Sequence, residues 1–512
     1  MLHGLIAGTL VMVTALKALA TLLWGWGTLG NRFRGEPSNA IPSTPDTPLG
    51  ALASVLRSAH PDRTGIGLIE DDLEAFAMRA RLAREAVRSL DLMHYVWSSD
   101  LTGRLLMAEV LAAADRGVRV RLLLDDIGAG HSHRLFLALH AHPRIELRLF
   151  NPASALGDGL ERGIGMAWRM ASVSRRMHGR AWIADGAIAI SGGRNIGDAC
   201  FRGRTPGGLH DLDLLILGPV TDQLADLFDS FWNSGLALPI TATPERHPRR
   251  RARALARIAH TRELPEAQPF IKAADQAPEP AARITSWSAQ TRLLADPPQK
   301  TLGTLDGDPL TDTLADLLHG ARHRLRLAAP HFAPGDAGTR ALGQLARQGT
   351  TIEVLTTSLA ATDVIGEYLA YARQRPALLR AGVRLHEARP ARDAGLSLTG
   401  QGGTGLHTKA CTLDGRLAFV GSLIFDPGAG ALNADMGLLL TDPGIIARID
   451  TMIEAEIDRA WRLELGPADR LQWRDGHEEG SRSHIHDREP MASLWRRACA
   501  RLLGWLPVRS RL

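Results

Sequence analysis

The longest apolar stretch lies at the amino end, GLIAGTLVMVTALKALATLLWGWGTL over residues 4–29, and carries one charge, Lys17. Its length suits a helix crossing a bilayer, with Trp24 and Trp26 at the end where indoles favour the interface. Lys17 near the middle would cost up to ~3 kcal/mol on insertion scales, so a helix lying in the interface answers the same pattern. No basic segment precedes the run and no small-x-small site follows it, which favours an anchor over a cleaved leader. Further along, short apolar strands alternate with amphipathic stretches in two rounds. SLDLMHYVWSSD, a helical stretch from Thr102 to Arg116 and VRVRLLLDD give strand, helix, strand; RLRLAAPHFAPG, a helical stretch from Asp336 to Arg347 and TIEVLTTS repeat the series. Such Leu-rich and β-branched strands suit a buried sheet. Each round then continues into two strands joined at Asp-Gly and closes on HDLDLLILGP (210–219) or NADMGLLLTDP (433–443). The pattern predicts an α/β fold built from one unit, doubled.

The division that follows is a membrane helix at 1–30, a Pro/Ser-rich linker at 31–60, a first domain at 61–240, a basic and Pro/Ala-rich linker at 241–300, a second domain at 301–470 and a basic amphipathic tail at 471–512. The arginine run in PERHPRRRARALARIAH reads as a solvated helix face, with a lipid-headgroup patch as the sharper alternative. The tail, SLWRRACARLLGWLPVRSRL, interleaves Trp495, Leu503, Trp505 and Leu506 with arginines. It suits either a helix in a headgroup layer or one docked on the protein.

Composition changes this picture little. The net charge of +5 favours no partner, and no nucleic-acid-binding signature is present. Three scattered cysteines offer neither a disulfide framework nor metal-ligand spacing. Only four of the 60 basic residues are lysine, at 17, 272, 300 and 409. One of them falls inside the motif that carries the chemistry.

That motif is LHTKACTLDG, with His407, Lys409 and Asp414, and its near-copy MHGRAWIADG, with His178, Arg180 and Asp185, stands 229 residues earlier. Each copy runs on to a small-residue pair, Gly192-Gly193 or Gly421-Ser422. Two imidazoles, each with a cation two residues along, are what a phosphodiester-cleaving site assembled from two halves requires. Lys409 and Arg180 can offset phosphate charge, with Asn195 and the Ser422 hydroxyl as neutral donors. One imidazole can attack phosphorus while the other carries the proton to and from oxygen. Each needs a carboxylate on its remaining nitrogen; Asp213 and Asp435, aligned between the two closing strands, are the candidates. Asp185 and Asp414 fall at turns and read as architectural.

The doubled motif resembles the hallmark of the phospholipase D superfamily. With phrases such as ISGGRNIGDACF, ADRGVRVRLLLDD and RAGVRLHE, the region from about Ser89 to Leu440 is most similar to bacterial cardiolipin synthases of type C. The resemblance implies two α/β sandwiches about a pseudo-twofold axis, both histidines in one cleft, and no metal or cofactor. It implies His178 as nucleophile and His407 as general acid/base. It also implies phosphatidyl transfer to the hydroxyl of phosphatidylglycerol, with phosphatidylethanolamine as donor, at a bacterial inner (cytoplasmic) membrane and with no nucleic-acid partner. Departures from the family pattern are Arg180 for lysine, Ile424 for asparagine, DPGAGALNAD without the usual Arg-Ser, and His94 where relatives often show tyrosine. A phospholipase D-type hydrolase and a catalytically weak binder of anionic lipid remain open beside the transferase. Donor headgroup and any accessory protein are left open by the residues.

Overall fold

The computed structural model describes residues 35–152, 176–201, 210–240, 248–302, 305, 309–362, 364–390, 405–422, 433–475 and 484–505. The apolar run at 4–29 and Ile424 lie outside these residues. Among the described residues no helix is long and apolar enough to cross a membrane.

The first sheet contains, in chain order, β1 (Thr64–Ile69), β2 (Ser89–His94), β3 (Arg119–Asp125), β4 (Ile145–Phe150), β5 (Ala181–Ala184), β6 (Ile188–Gly192), β7 (Asp213–Leu217), β8 (Ala237–Pro239) and β9 (Ser286–Ser288). In space the order is β8-β4-β3-β2-β5-β6-β7-β1-β9. The second sheet is built from β10 (Arg292–Ala295), β11 (Arg324–Ala328), β12 (Thr351–Thr357), β13 (Arg384–Ala388), β14 (Ala410–Leu413), β15 (Leu417–Gly421), β16 (Met436–Leu440), β17 (Trp461–Leu465), β18 (Leu471–Asp475) and β19 (Ile485–His486). Its order is β10-β16-β15-β14-β11-β12-β13-β17-β18-β19.

Superposing the two orders matches β2 with β11, β5 with β14 and β7 with β16. In both sheets three parallel strands, β2-β3-β4 and β11-β12-β13, adjoin an antiparallel set. Parallel neighbours need a crossover, which α1 (Leu101–Asp115) supplies between β2 and β3. Its start is capped by the Asp100 carboxylate, which accepts from the Gly103 N–H. Gly117, at φ 100°, lets the chain leave it. The equivalent helix at Gly335–Arg347 is followed by Gly349 at φ 99°.

The halves are not independent. One apolar core takes Leu123, Ile183 and Leu214 from the first sheet and Leu355, Val420 and Leu438 from the second. Phe228 and Trp232 of α2 (Pro219–Trp232) and Ile446 and Ile453 from the helix Pro443–Arg459 complete it.

The described parts of both segments expected as linkers are folded, residues 35–59 and 248–288 onto the first half and β10 into the second sheet. Residues 35–47 lack regular structure, but several of their backbone groups are bonded to the first half. Ala40 N–H donates to Asp229 at 2.8 Å, and the buried Arg148 and Arg121 guanidiniums donate to the carbonyls of Glu36 (2.6 Å) and Ser38 (2.8 Å). Proline and serine removed the helix and strand signals without removing these groups. A helix at Pro48–Ala59 follows, capped by Thr47. Within 241–300, the helix Pro248–His260 faces its arginines outward and buries Ile258, and β9 pairs with β1. Passage to the second sheet takes only residues 289–291, because β10 already pairs with β16. The tail also begins as sheet, with β18 on β17.

Candidate active site

Each motif histidine stands just before a central strand, His178 before β5 and His407 before β14. The backbone there is tied to the opposite half. His178 N–H donates to the Ala434 carbonyl at 2.9 Å, and His407 N–H to the His210 carbonyl at 2.9 Å. This stitching makes the side chains cross as well. His178 Nδ1 lies 3.3 Å from Asp435 Oδ1, and His407 Nδ1 lies 2.5 Å from Asp211 Oδ2. Each imidazole is therefore held by the carboxylate of the other half, and neither half-site is complete alone.

The first-half carboxylate is Asp211, not Asp213 as the sequence alignment had it. Strand register shows the two-residue slip: Gly192 of β6 pairs with Asp213, while Gly421 of β15 pairs with Gly437. Asp213 thus corresponds to Gly437, and Asp211 to Asp435. Asp213 is fully buried between Arg79 (2.8 Å) and Arg194 (3.2 Å). Arg194 also donates to the Asp211 carbonyl at 2.5 Å, so this ion network fixes the backbone that aims Asp211.

The small-residue pairs are explained by the same carboxylates. A Cβ on Gly193 would collide with Asp211 Oδ1. At the equivalent position Ser422 fits, and its hydroxyl donates to Asp435 Oδ1 at 2.8 Å. Ser422, expected as a phosphate donor, here directs its hydrogen to the carboxylate that orients His178. A Cβ on Gly192 or Gly421 would meet the backbone of the neighbouring strand.

Asp185 and Asp414 occupy the turns between paired strands at φ 51° and 52°, a left-handed conformation that aspartate tolerates better than most residues. Asp185 accepts from the N–H groups of Val87, Arg88 and Ser89, and Asp414 from those of Arg322, His323 and Arg324. The third residue of each motif is thereby bonded to the start of a neighbouring strand, with no contact to either imidazole.

The cations point the other way. Arg180 is buried, its Nε donating to Asn195 Oδ1 at 2.8 Å and its Nη1 to the His178 carbonyl at 3.0 Å. Asn195, expected to face phosphate, thus positions the guanidinium through its oxygen. Lys409 Nζ lies 3.1 Å from the His407 carbonyl and 3.4 Å from His407 Nε2. Lys300, another of the rare lysines, is buried against Asp296, whose carboxylate accepts the Asp435 N–H. Among the described residues no cluster of His, Cys, Asp and Glu is arranged to hold a metal ion.

Comparison with known proteins decides the lineage. Residues 80–232 and 314–459 match the family described as cardiolipin synthase, PLD-like domain. The chain is 37% identical over 486 residues to cardiolipin synthase C of Escherichia coli, covering 90% of this chain and 98% of that protein. The chain belongs to the cardiolipin synthase family of phospholipase D-like proteins. Cardiolipin synthase A of Pseudomonas syringae is 23% identical over 404 residues, covering 78% of this chain and 70% of that one. A solved structure with the same fold, phosphatidylserine synthase of Haemophilus influenzae, superposes with a TM-score of 0.56 at 13% identity, covering 88% of this chain and 96% of that one.

Within this cardiolipin synthase family member, burial sets the protonation of the site. Burial holds both imidazoles below their usual pKa; His407, with Lys409 adding to the effect, is pushed down to about 4. Burial lowers Lys409 to about 8, with Arg180 acting in the same direction. Burial would raise Asp211, but His407, Lys409 and Arg194 together hold it below the usual carboxylate range. Both histidines are consequently neutral, with Nδ1–H toward the carboxylate and Nε2 as the basic nitrogen, which at His407 faces Lys409 Nζ.

Several neighbours escaped the sequence reading. Tyr95 packs edge-on to His178 with ring centroids 4.3 Å apart. His94, singled out as the departure from tyrosine, is buried against Trp97 and Trp182 instead. His331 pairs with Glu367 at 2.6 Å, and although burial opposes it Glu367 is stabilised as an anion by His331, with Lys409 acting in the same direction. Tyr95 and His331, on loops that follow strands, carry no periodic signal, and only the tertiary fold brings them into place.

Proposed function

We propose that this chain is a phosphatidyltransferase of cardiolipin synthase type, moving a phosphatidyl group to the hydroxyl of phosphatidylglycerol. The observation that carries the reading is the crossed pairing of His178 with Asp435 and His407 with Asp211, which leaves two Nε2 atoms from two half-sites for one phosphorus. His178 Nε2 attacks phosphorus, forming a P–N bond as the P–O bond to the donor headgroup breaks. The departing oxygen takes its proton from protonated His407. The incoming hydroxyl returns a proton to His407 as its oxygen attacks phosphorus, and the P–N bond to His178 breaks. His407 has the shorter carboxylate contact, and an anionic phosphate beside it favours the imidazolium against burial and offsets the Lys409 charge that adds to burial. Lys409 and Arg180 supply the charge that lets a nucleophile approach an anionic phosphodiester.

Placement at a bacterial inner membrane through the apolar run at 4–29 belongs to the same proposal, as does phosphatidylethanolamine as donor. Neither a nucleic acid nor a metal enters the scheme. The test is expression in bacteria stripped of cardiolipin, with lipid extraction and mass spectrometry and with His407→Ala as control. Cardiolipin is expected with the wild-type chain and not with the variant. Phosphatidic acid in its place would mean that water is the acceptor and the chain a hydrolase. Unchanged lipids with vesicle binding retained would mean an inherited cleft that binds without turnover.

A further inference from the structure

The carboxyl-terminal helix, α3 (Leu494–Trp505), leaves large apolar side chains in solvent. Of its three arginines, Arg496 faces the protein, donating from Nη1 to the carbonyls of Leu359 (3.0 Å) and Thr362 (2.7 Å). Ala500, one turn on, is buried on the same side. The outward face instead carries Leu494, Trp495 and Leu502, exposed by 83%, 63% and 68%, with Ala498 between them and Met491 just before the helix exposed by 62%. A helix normally buries its apolar stripe, and leaving three large apolar side chains in water at i, i+1 and i+8 is unfavourable unless something covers them.

The position of the helix indicates what covers it. Leu359 and Thr362 belong to the loop that leaves β12, the counterpart of the loop after β3 that begins at Asp125 beside Arg176 and Met177. Thr362 also lines the same small cavity as His331 and Glu367, and the end of β12 lies, across β11, at the same sheet end as the start of β14, which follows His407 and Lys409. The apolar face is therefore fastened by Arg496 to the rim of the catalytic cleft. Arg501, exposed on the helix, and Arg497, partly exposed, flank it with positive charge. Apolar body, aromatic residue and flanking cations match the headgroup and acyl boundary of an anionic lipid layer.

We infer that α3 is a lipid-docking element that seats the rim of the cleft on an anionic phospholipid surface, so that substrate passes from the layer to the histidines without crossing water. This rests on the phosphatidyltransferase reading and adds the surface through which it gains its substrate. The test uses the full chain carrying Leu502→Cys and Cys499→Ser, labelled with an environment-sensitive fluorophore. Vesicles of phosphatidylglycerol and phosphatidylethanolamine should shift its emission to the blue, and lipids bearing quenchers at shallow depth should quench it. Emission already blue without vesicles would overturn the inference. In that case the face is covered by another segment of the chain, or by a second copy if the emission depends on protein concentration. Unquenched, water-like emission on bound vesicles would overturn it as well.

A kinetic arm separates this inference from the reading beneath it. In the triple variant Leu494→Ser, Trp495→Ser, Leu502→Ser, turnover of vesicle lipid should fall about tenfold or more relative to turnover of a dispersed short-chain phospholipid by the same variant. An unchanged ratio sinks the docking surface. Failure of the wild-type chain to convert either substrate sinks the enzyme reading instead.

Discussion

His178→Ala and His407→Ala each lower phosphatidyl transfer by about ten-thousand-fold or more, since covalent attack and proton transfer have no other group to perform them. Tyr95, the nearest alternative at the His178 ring, has its hydroxyl pKa pushed up to about 12 by burial and by Asp125, so it offers no anion near neutral pH. Lys409 is a cation below about pH 8 and has no lone pair to replace His407 there. Loss of either ring leaves its carboxylate with other donors: Asp435 keeps the Ser422 hydroxyl, and Asp211 keeps the Leu212 N–H at 2.8 Å. The variants should accordingly fold, with melting temperature as the check. Product formation by His178→Ala at the wild-type rate would remove the catalytic reading.

The two aspartates of His-Asp-Leu-Asp separate by experiment as they do in the structure. Asp211→Asn should lower kcat by roughly a hundred- to ten-thousand-fold, because an amide does not fix the tautomer or stabilise the imidazolium at His407 as a carboxylate does. Its stability should change much less. Asp213→Asn should act in the opposite sense, costing about 3–5 kcal/mol of stability by leaving the buried Arg79 guanidinium without its anion, while Arg194 keeps Asp72. Denaturant midpoints and initial rates on the two proteins read both effects. A stable Asp213→Asn protein with a selective loss of kcat, beside an active Asp211→Asn protein, would restore the sequence alignment and overturn the structural one.

That alignment marks the limit of what the chain could disclose on its own. The doubled strand-helix-strand series was legible because alternating apolar segments and glycines such as Gly117 are local signals. The architectural roles of Asp185 and Asp414 were legible too, since Asp-Gly between two apolar runs is turn chemistry. Asp211 against Asp213 was not, because both carboxylates stand on one strand two residues apart. Only the pairing of β6 with β7 tells which one meets a histidine 196 residues away. The same holds for the strap at 35–47, whose partners Arg121, Arg148 and Asp229 are remote in sequence. Ser422 was identified as polar and close to the site, but its partner is the carboxylate that orients His178.

The two-histidine relay is tested most directly by mixing the enzyme with a phospholipid donor radiolabelled in its phosphate, without acceptor. The mixture is quenched into alkaline detergent, and the labelled peptide is then mapped. Label on the His178 peptide, discharged into lipid when phosphatidylglycerol is added before the quench, is the expected result. Label on neither histidine while labelled product still forms would contradict a covalent passage through the cleft.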